Sequence, residues 1–297
     1  MSDLTLKSNG TSSERKKIRK SSFWAKSWDR FTKNRLALIG FSICLFIAFL
    51  AVSAPYLPIQ DPMQQNWGDE RVAPNSKYWF GTDSLGRDTF SRIVWGARTS
   101  LIIGFEATAI MTLVGVVLGS ISGYYGKLAD TITMRSTDIF LAMPRLILLI
   151  VIASVLRIRS IYFTGFIIGV TDWPAMTRLV RSSFLSLKEQ TFVEAVKSVG
   201  VKDGAIIFKH ILPNTLSPII VIATIQIGTA IMIEAGLSFL GLGDPFIISW
   251  GQMLAVGNSM LRNAWWNAFF PGLFVFIAVL GFNLLGDGLR DALDVRM

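Results

Sequence analysis

Residues 36–60 read LALIGFSICLFIAFLAVSAPYLPIQ, with no charge between Arg35 and Asp61. About 20 such residues carry a helix across the ~30 Å hydrocarbon layer of a bilayer. The same reading applies to 211–233, charge-free between His210 and Glu234, and to 263–286, charge-free between Arg262 and Asp287. Residues 99–126 form a fourth run, interrupted by Glu106 alone. Two weaker segments complete the set: 136–156, with Asp138 and, after Pro144, Arg145, and 160–177, with Asp172 before Trp173-Pro174. The sequence therefore predicts an all-α membrane protein with six transmembrane helices. Val52-Ser53-Ala54 resembles a cleavage site, but the apolar run before it is longer than the ~7–15 residues of a signal-peptide core. The first span is expected to be retained.

Composition agrees with the runs. The 297 residues are 52% apolar and 16% charged, against about a quarter charged in ordinary soluble domains. One Cys and one His exclude a disulfide framework and leave too few soft ligands for a zinc or iron–sulfur site. The formal charge of +9 is explained by topology. With six spans, both termini share one side, and that side holds twenty of the 29 Lys and Arg, ten of them from Lys7 to Arg35. The opposite side holds eight, and Arg145 lies within a span. The excess of basic residues places both termini in the cytoplasm. No aromatic residue interleaves with the cluster from Arg15 to Lys20, so the basic tail reads as a contact with anionic lipid, not nucleic acid.

The chain divides into a cytoplasmic N-terminal tail, 1–35, and a six-span domain, 36–297. Within the tail, Phe23, Trp24, Trp28 and Phe31 alternate with Lys26, Arg30 and Lys33, the pattern of an amphipathic helix lying at the membrane surface. Residues 61–97 make the largest external loop. Gly115, Gly119 and Gly123 lie at four-residue spacing on the second span, a stripe that lets another helix approach closely; packing inside the chain is the reading preferred over a dimer motif. The Gly-, Pro- and Trp-containing segment 241–252 is expected to turn and form a re-entrant or interfacial piece.

The fourth-to-fifth loop, about 186–213, carries the distinctive pattern. Phe192, Val193, Val196 and Val199 fall on one helical face. Gly200 then offers the positive φ that closes a helix, and Ala205, Ile206 and Phe208 form a second apolar stripe before Leu212-Pro213. The loop therefore reads as helix, Gly turn, short helix: a rigid knob for a cytoplasmic partner.

Glu194-Ala195, Gly200 six residues beyond Glu194, and Leu212-Pro213 resemble the cytoplasmic EAA loop of ABC importer permeases. Val196 stands where a second Ala is usual, and His210 where Ile is. Phe80-Gly-Thr-Asp-Ser-Leu-Gly-Arg-Asp88, Glu234-Ala-Gly-Leu-Ser-Phe-Leu-Gly-Leu-Gly243 and Phe282-Asn-Leu-Leu-Gly-Asp-Gly-Leu-Arg-Asp-Ala-Leu-Asp294 resemble blocks of the C-type permeases of dipeptide, oligopeptide and nickel importers. The resemblance covers about residues 23–297. It implies a type I importer permease fold in the cytoplasmic (inner) membrane of a prokaryote, a related second permease, two ATPase subunits and an extracytoplasmic substrate-binding protein. It also implies that Glu194, Ala195, Gly200, Lys202, Asp203 and Phe208 couple to an ATPase. Peptides are the first expected substrate, with nickel or another chelated metal and oligosaccharides as alternatives.

Other residues remain open between function and structure. Glu106, Arg145, Asp172 and Glu234 cannot comfortably face lipid; they belong either to a polar path or gate, or to helix–helix pairs such as Arg145 with one of the acids. Asp83, Arg87 and Asp88 are candidates for docking an external protein, although mutual pairing in a Gly-rich loop is favoured. No Walker A motif is present, because Gly126-Lys127 is followed by Leu128 and residue 121 is Ile. No Gly-x-Ser-x-Gly elbow or His-x-x-x-His pair occurs either. The chain is therefore not expected to be an enzyme or to bind a cofactor or metal; ATP would be used by partner subunits. A stand-alone secondary transporter is the remote alternative.

Overall fold

The chain forms helices wherever the charge-free runs demanded them, and their ends are set by caps, prolines and glycines. The computed structural model describes residues 23–156 and 160–293, with side chains from Ser27 onward. The basic cluster Arg15–Lys20, together with Arg157, Arg159 and Arg296, lies outside the described residues. In order the elements are α1 (Phe23–Lys33), α2 (Arg35–Ser53), α3 (Thr89–Tyr125), α4 (Lys127–Ala142), α5 (Arg145–Leu156), α6 (Ile161–Lys188), α7 (Thr191–Ser198), α8 (Asp203–Ala205), a π-helical turn (Ile206–Ile211), α9 (Leu212–Phe239), α10 (Trp250–Asn258) and α11 (Trp266–Leu293). Among the described residues, extended pairing is limited to one isolated bridge between Thr82 and Asp88.

Among the described residues, four helical stretches are long and apolar enough to cross a membrane: α2, α3, the continuous Asp203–Phe239 and α11. A fifth is added if α4 and α5, bent by 87° at their junction, count as one. The segment 136–156, expected as one span, is not one continuous helix, because the residue before Pro144 is pushed out of the helical region; Met143 sits at φ −91°, ψ 132°. At 28 residues α6 is also long enough, but Asp172, Arg178, Arg181 and Lys188 lower its apolarity.

Two boundaries differ from the sequence reading. α3 begins at Thr89, not near 99, because Asp88 caps it: Oδ2 accepts from the Ser91 N–H at 2.9 Å and the Ser91 hydroxyl at 2.6 Å. The charged residues Arg92 and Arg98 therefore lie in helix, where the run of charges had read as loop. The surface helix expected near 23–35 ends at Lys33, where Asn34 starts α2 by accepting from Leu36 N–H and Ala37 N–H at 3.0 and 3.2 Å. Asn34 Nδ2 also donates to Asp291 Oδ2 at 2.9 Å, and Phe31 is buried against Ala37 and Ala292. One face of α1 is thus fastened to the end of α11.

Among the described residues the most extensive helix pairing is that of α3 with α6. A Cβ on Gly115 would lie 2.5 Å from Met176 Cβ, on Gly119 2.7 Å from Val180 Cβ, and on Gly123 2.6 Å from Phe184 Cβ. α6 reciprocates nearer its start, where a Cβ on Gly169 would lie 2.6 Å from the Ala107 carbonyl oxygen. The glycine stripe packs within the chain. Around this pair sit two large apolar clusters. One joins Ile47, Val94, Leu101, Ile231, Trp250 and Phe282. The other joins Met176, Val180, Phe184, Val193, Ile206 and Ile211, bringing the knob loop against the ends of α3 and α6.

The seam predicts a contrast between two glycines. Gly119→Ala forces Val180 or the Thr177 carbonyl, 2.8 Å from the new methyl, to move, and should destabilise the protein by about 1–3 kcal/mol. Helical Gly236 has open space around its Cβ direction, so Gly236→Ala should be neutral or stabilising by up to about 1 kcal/mol. Thermal unfolding of the detergent-solubilised variants distinguishes the two.

Candidate functional site

The knob is built from α7, a turn and α8 with its π-helical continuation into α9. Gly200 has φ +79°, and a Cβ there would meet nothing within 4 Å. The turn thus depends on backbone conformation and not on lack of room. Past it, the π turn Ile206–Ile211 runs directly into α9. Pro213 has no N–H to return to the carbonyl four residues back, and the wider π turn lies just before that defect. The result is one unbroken helical stretch from Asp203 to Phe239.

The knob's two sides differ. Val193, Ile206, Ile207 and Ile211 are buried, and Val196 is half-buried against them. Phe192, Val199 and Phe208 face outward, Val199 at 83% and Phe208 at 68% exposure. Glu194, Ala195, Gly200 and Lys202 are exposed beside them. The stripe expected to hold Phe192 and Val199 with Val193 is therefore split: the helix buries its Val193–Val196 edge and presents apolar side chains to whatever lies outside. Among the described residues Glu194 makes no ion pair. Its carboxylate faces outward, in the first turn of α7.

Other side chains do the anchoring. Tyr124, at the end of α3, donates its hydroxyl to Asp203 Oδ1 at 2.6 Å. Lys188, at the end of α6, donates to the Tyr124 carbonyl oxygen at 2.8 Å. Alongside, Arg181 Nη2 donates to Asp130 Oδ2 at 2.7 Å and the Ser122 hydroxyl to Asp130 Oδ1. Arg178 of α6 and Asp138 of α4 lie 2.7 Å apart. Tyr124 and Lys188 escaped sequence reasoning because they lie 79 and 15 residues from Asp203; an aromatic pair, Tyr124-Tyr125, where a span meets water was the available signal.

The candidate path residues fall into three situations. Arg145 Nη2 lies 2.9 Å from Asp172 Oδ2, joining α5 to α6, although the angles fall short of a hydrogen bond. Glu234 is buried; its Oε1 accepts from the hydroxyls of Ser238 and Ser249, both at 2.8 Å. Ser249 also caps α10 by accepting from Gln252 N–H, so the carboxylate sits beside that helix's partial positive N-terminus. Glu106 packs over Gly165, where a Cβ would lie 2.6 Å from Oε2.

At the opposite end of the molecule, Asp83 and Arg87 satisfy each other. Arg87 Nε donates to Asp83 Oδ2 at 2.7 Å, and Asp83 Oδ1 accepts from the Leu85 and Arg87 N–H groups. Asp83 and Asp88 are buried, the latter as the cap of α3, which places all three inside the loop's own network. Trp266 Nε1 and Asn267 Nδ2 both donate to the Thr82 carbonyl, at 3.1 and 2.9 Å. Gly81 (φ +72°) lies where a Cβ would strike the Trp266 ring. On the loop's exposed side, the Lys77 ammonium and then the Tyr78 hydroxyl hold the Asp69 carboxyl below its usual range. Phe246, Ile247 and Ile248 wall one side of a groove of about 570 Å³ whose other side includes Pro55, Leu57 and Met63.

Comparison with known proteins gives this arrangement a family. Residues 115–297 match the family described as "Binding-protein-dependent transport system inner membrane component", and residues 22–74 match the "N-terminal TM domain of oligopeptide transport permease C". The chain is 43% identical to the dipeptide transport system permease protein DppC of Alkalihalophilus pseudofirmus, over 92% of this chain and 90% of that protein. It is 41% identical to the oligopeptide transport system permease protein OppC of Bacillus subtilis, over 93% and 90%. To the glutathione transport system permease protein GsiD of Pectobacterium atrosepticum it is 40% identical, over 92% and 91%. The family consists of membrane transport components and not of enzymes. With both segments matched and relatives aligned over nine-tenths of its length, the chain belongs to the binding-protein-dependent transport system inner membrane components.

Proposed function

We propose that the chain is the C-type permease subunit of an ATP-driven importer of dipeptides or oligopeptides, forming half of the translocation pathway. The observation that carries the reading is the outward-facing knob, with exposed Phe192, Val199 and Phe208 continuous with a membrane helix, in a family of binding-protein-dependent transport components. The names of the relatives support peptides, one of them glutathione, and rank nickel or other chelated metals and oligosaccharides below them. α6 is the fourth of six spans in this reading, its basic end at the cytoplasmic surface, and the membrane is the inner membrane of a prokaryote.

The partners follow from what the chain lacks. It has no P-loop, so ATP is hydrolysed by two ATPase subunits. A homologous permease completes the pathway, and an extracytoplasmic binding protein delivers solute. Closure of an ATPase pushes on the knob. Because the knob continues without a break into α9, the push reaches the spans as a displacement of a stiff element and is not absorbed in a loop.

Topology is tested with the native Cys44 replaced by Ser. Ser76 and Ser198 are both exposed, so labelling reports side and not burial. A cysteine at Ser76 should react with an impermeant thiol reagent in intact cells, and one at Ser198 should react only after permeabilisation. The reverse pattern would overturn cytoplasmic termini.

Coupling is tested at Gly200. With φ at +79°, any L side chain is strained, by about 1–2 kcal/mol for a β-branched one and less for Asn, which tolerates the left-handed region. Uptake per ATP hydrolysed should fall in the order Gly, Asn, Ala, Val, while the variants still insert in the membrane. Normal uptake and normal ATPase copurification in Gly200→Val would show that this turn is not the joint.

A further inference from the structure

The junction of α4 and α5 combines three features that lipid does not tolerate together. The helix bends by 87°, and Leu141, Ala142, Met143 and Pro144 are all exposed across the bend. A broken helix leaves carbonyls at the end of one segment and N–H groups at the start of the next without helical partners. Beside the break stands the Arg145–Asp172 pair. Among the described residues Arg145 Nε and Asp172 Oδ2 are buried atoms without a hydrogen-bond partner, while the Arg145 side chain as a whole is 30% exposed.

The depth of this junction follows from α6. Asp172 lies eleven residues from Ile161 and sixteen from Lys188, about 16 Å and about 24 Å along the helix. That is near the middle of a ~30 Å layer. Irregular backbone at such depth persists only where it is covered by protein or lines water, and charged side chains there face a bundle interior or a water-filled cavity. Glu234 does not raise the question in the same way. Glu234 is enclosed with two serines and the start of α10, whereas the junction opens outward.

We infer that the α4–α5 break lines the water-filled path through which solute crosses, with Arg145 and Asp172 as a polar station on that path. The inference rests on the permease reading above. A guanidinium and a carboxylate side by side suit a solute bearing both an ammonium and a carboxylate, as a short peptide does. The exposed Leu146, Ile147, Val151 and Val155 farther along α5 confine the polar patch to the bend itself, which fits a narrow crevice and not a wetted helix face.

The test uses the complete transporter in membrane vesicles with Cys44 replaced by Ser. Single cysteines replace Ala142, Met143 and, as a lipid-facing control, the exposed Leu45 of α2. The probe is a charged methanethiosulfonate reagent, and peptide uptake is measured in the same vesicles. Cysteines at Ala142 and Met143 should react at least about tenfold faster than the one at Leu45, as expected for water against hydrocarbon. Bound solute should slow their reaction. Rates equal to that at Leu45, in vesicles that still take up peptide, would overturn the inference while leaving the permease reading intact. Failure to react combined with disulfide cross-linking to the second permease would overturn it equally, by showing that protein covers the break. Absence of uptake in the Cys44→Ser parent would instead count against the peptide-permease reading itself.

Discussion

The close approach of α3 and α6 is the contact on which the rest of the arrangement depends. In a bilayer, apolar side chains gain nothing by leaving lipid for protein, so helices associate through packing and polar contacts. Small residues supply that packing here on both partners: Gly115, Gly119 and Gly123 on α3, Gly165 and Gly169 on α6. With the two axes held together, their ends arrive side by side: Lys188 of α6 reaches the Tyr124 carbonyl of α3, and the Tyr124 hydroxyl reaches Asp203 of the knob. The same pairing brings Arg178 and Arg181 to the aspartates of α4. A seam without side chains thus determines where the charged groups meet.

The knob joins the membrane helices by two routes of different character. One is covalent: the backbone passes from Asp203 through the π turn to Phe239 as one helical stretch. The other is polar, through the Tyr124–Asp203 hydrogen bond to α3 and through Lys188 to α6. A displacement of the knob therefore acts on α9 along its axis and on α3 and α6 at their ends. Between them lies the buried cluster of Val180, Phe184, Val193, Ile206 and Ile211, which resists independent movement because close-packed side chains do not deform continuously.

Much of this was legible in the sequence, and what was not has identifiable physical causes. Charge-free length located α2, α3, α9 and α11, since solvation of the chain by lipid leaves few alternatives. The Gly200 turn was readable because positive φ selects for glycine. Helix ends were read less well. Asp88 shifts the start of α3 ten residues earlier by capping it, and Pro144 divides an apparently continuous span. At the site, the order of helix, Gly turn and helix was legible, but the outward turn of Phe192 and Val199 and the anchors were not. Tyr124 meets Asp203, and Lys188 meets Tyr124, through tertiary structure alone, and no local pattern encodes a contact made across 79 residues of chain.

The charges within the helices show a further division of labour. Burial of a carboxylate is costly unless hydrogen bonds or dipoles compensate, and Glu234 has both, from Ser238, Ser249 and the start of α10. That compensation ties α9 to the segment leading into α10 and makes Glu234 a structural joint. Asp83 with Arg87, and Asp88 with Ser91, do the same for the large loop. Arg145 and Asp172 differ in place: they pair with each other across two helices and stand beside a bend whose residues Leu141 to Pro144 are exposed. The pair stands at the bend itself, where the backbone also leaves the helical hydrogen-bond pattern, so its unpartnered atoms and the freed backbone groups call for the same compensation.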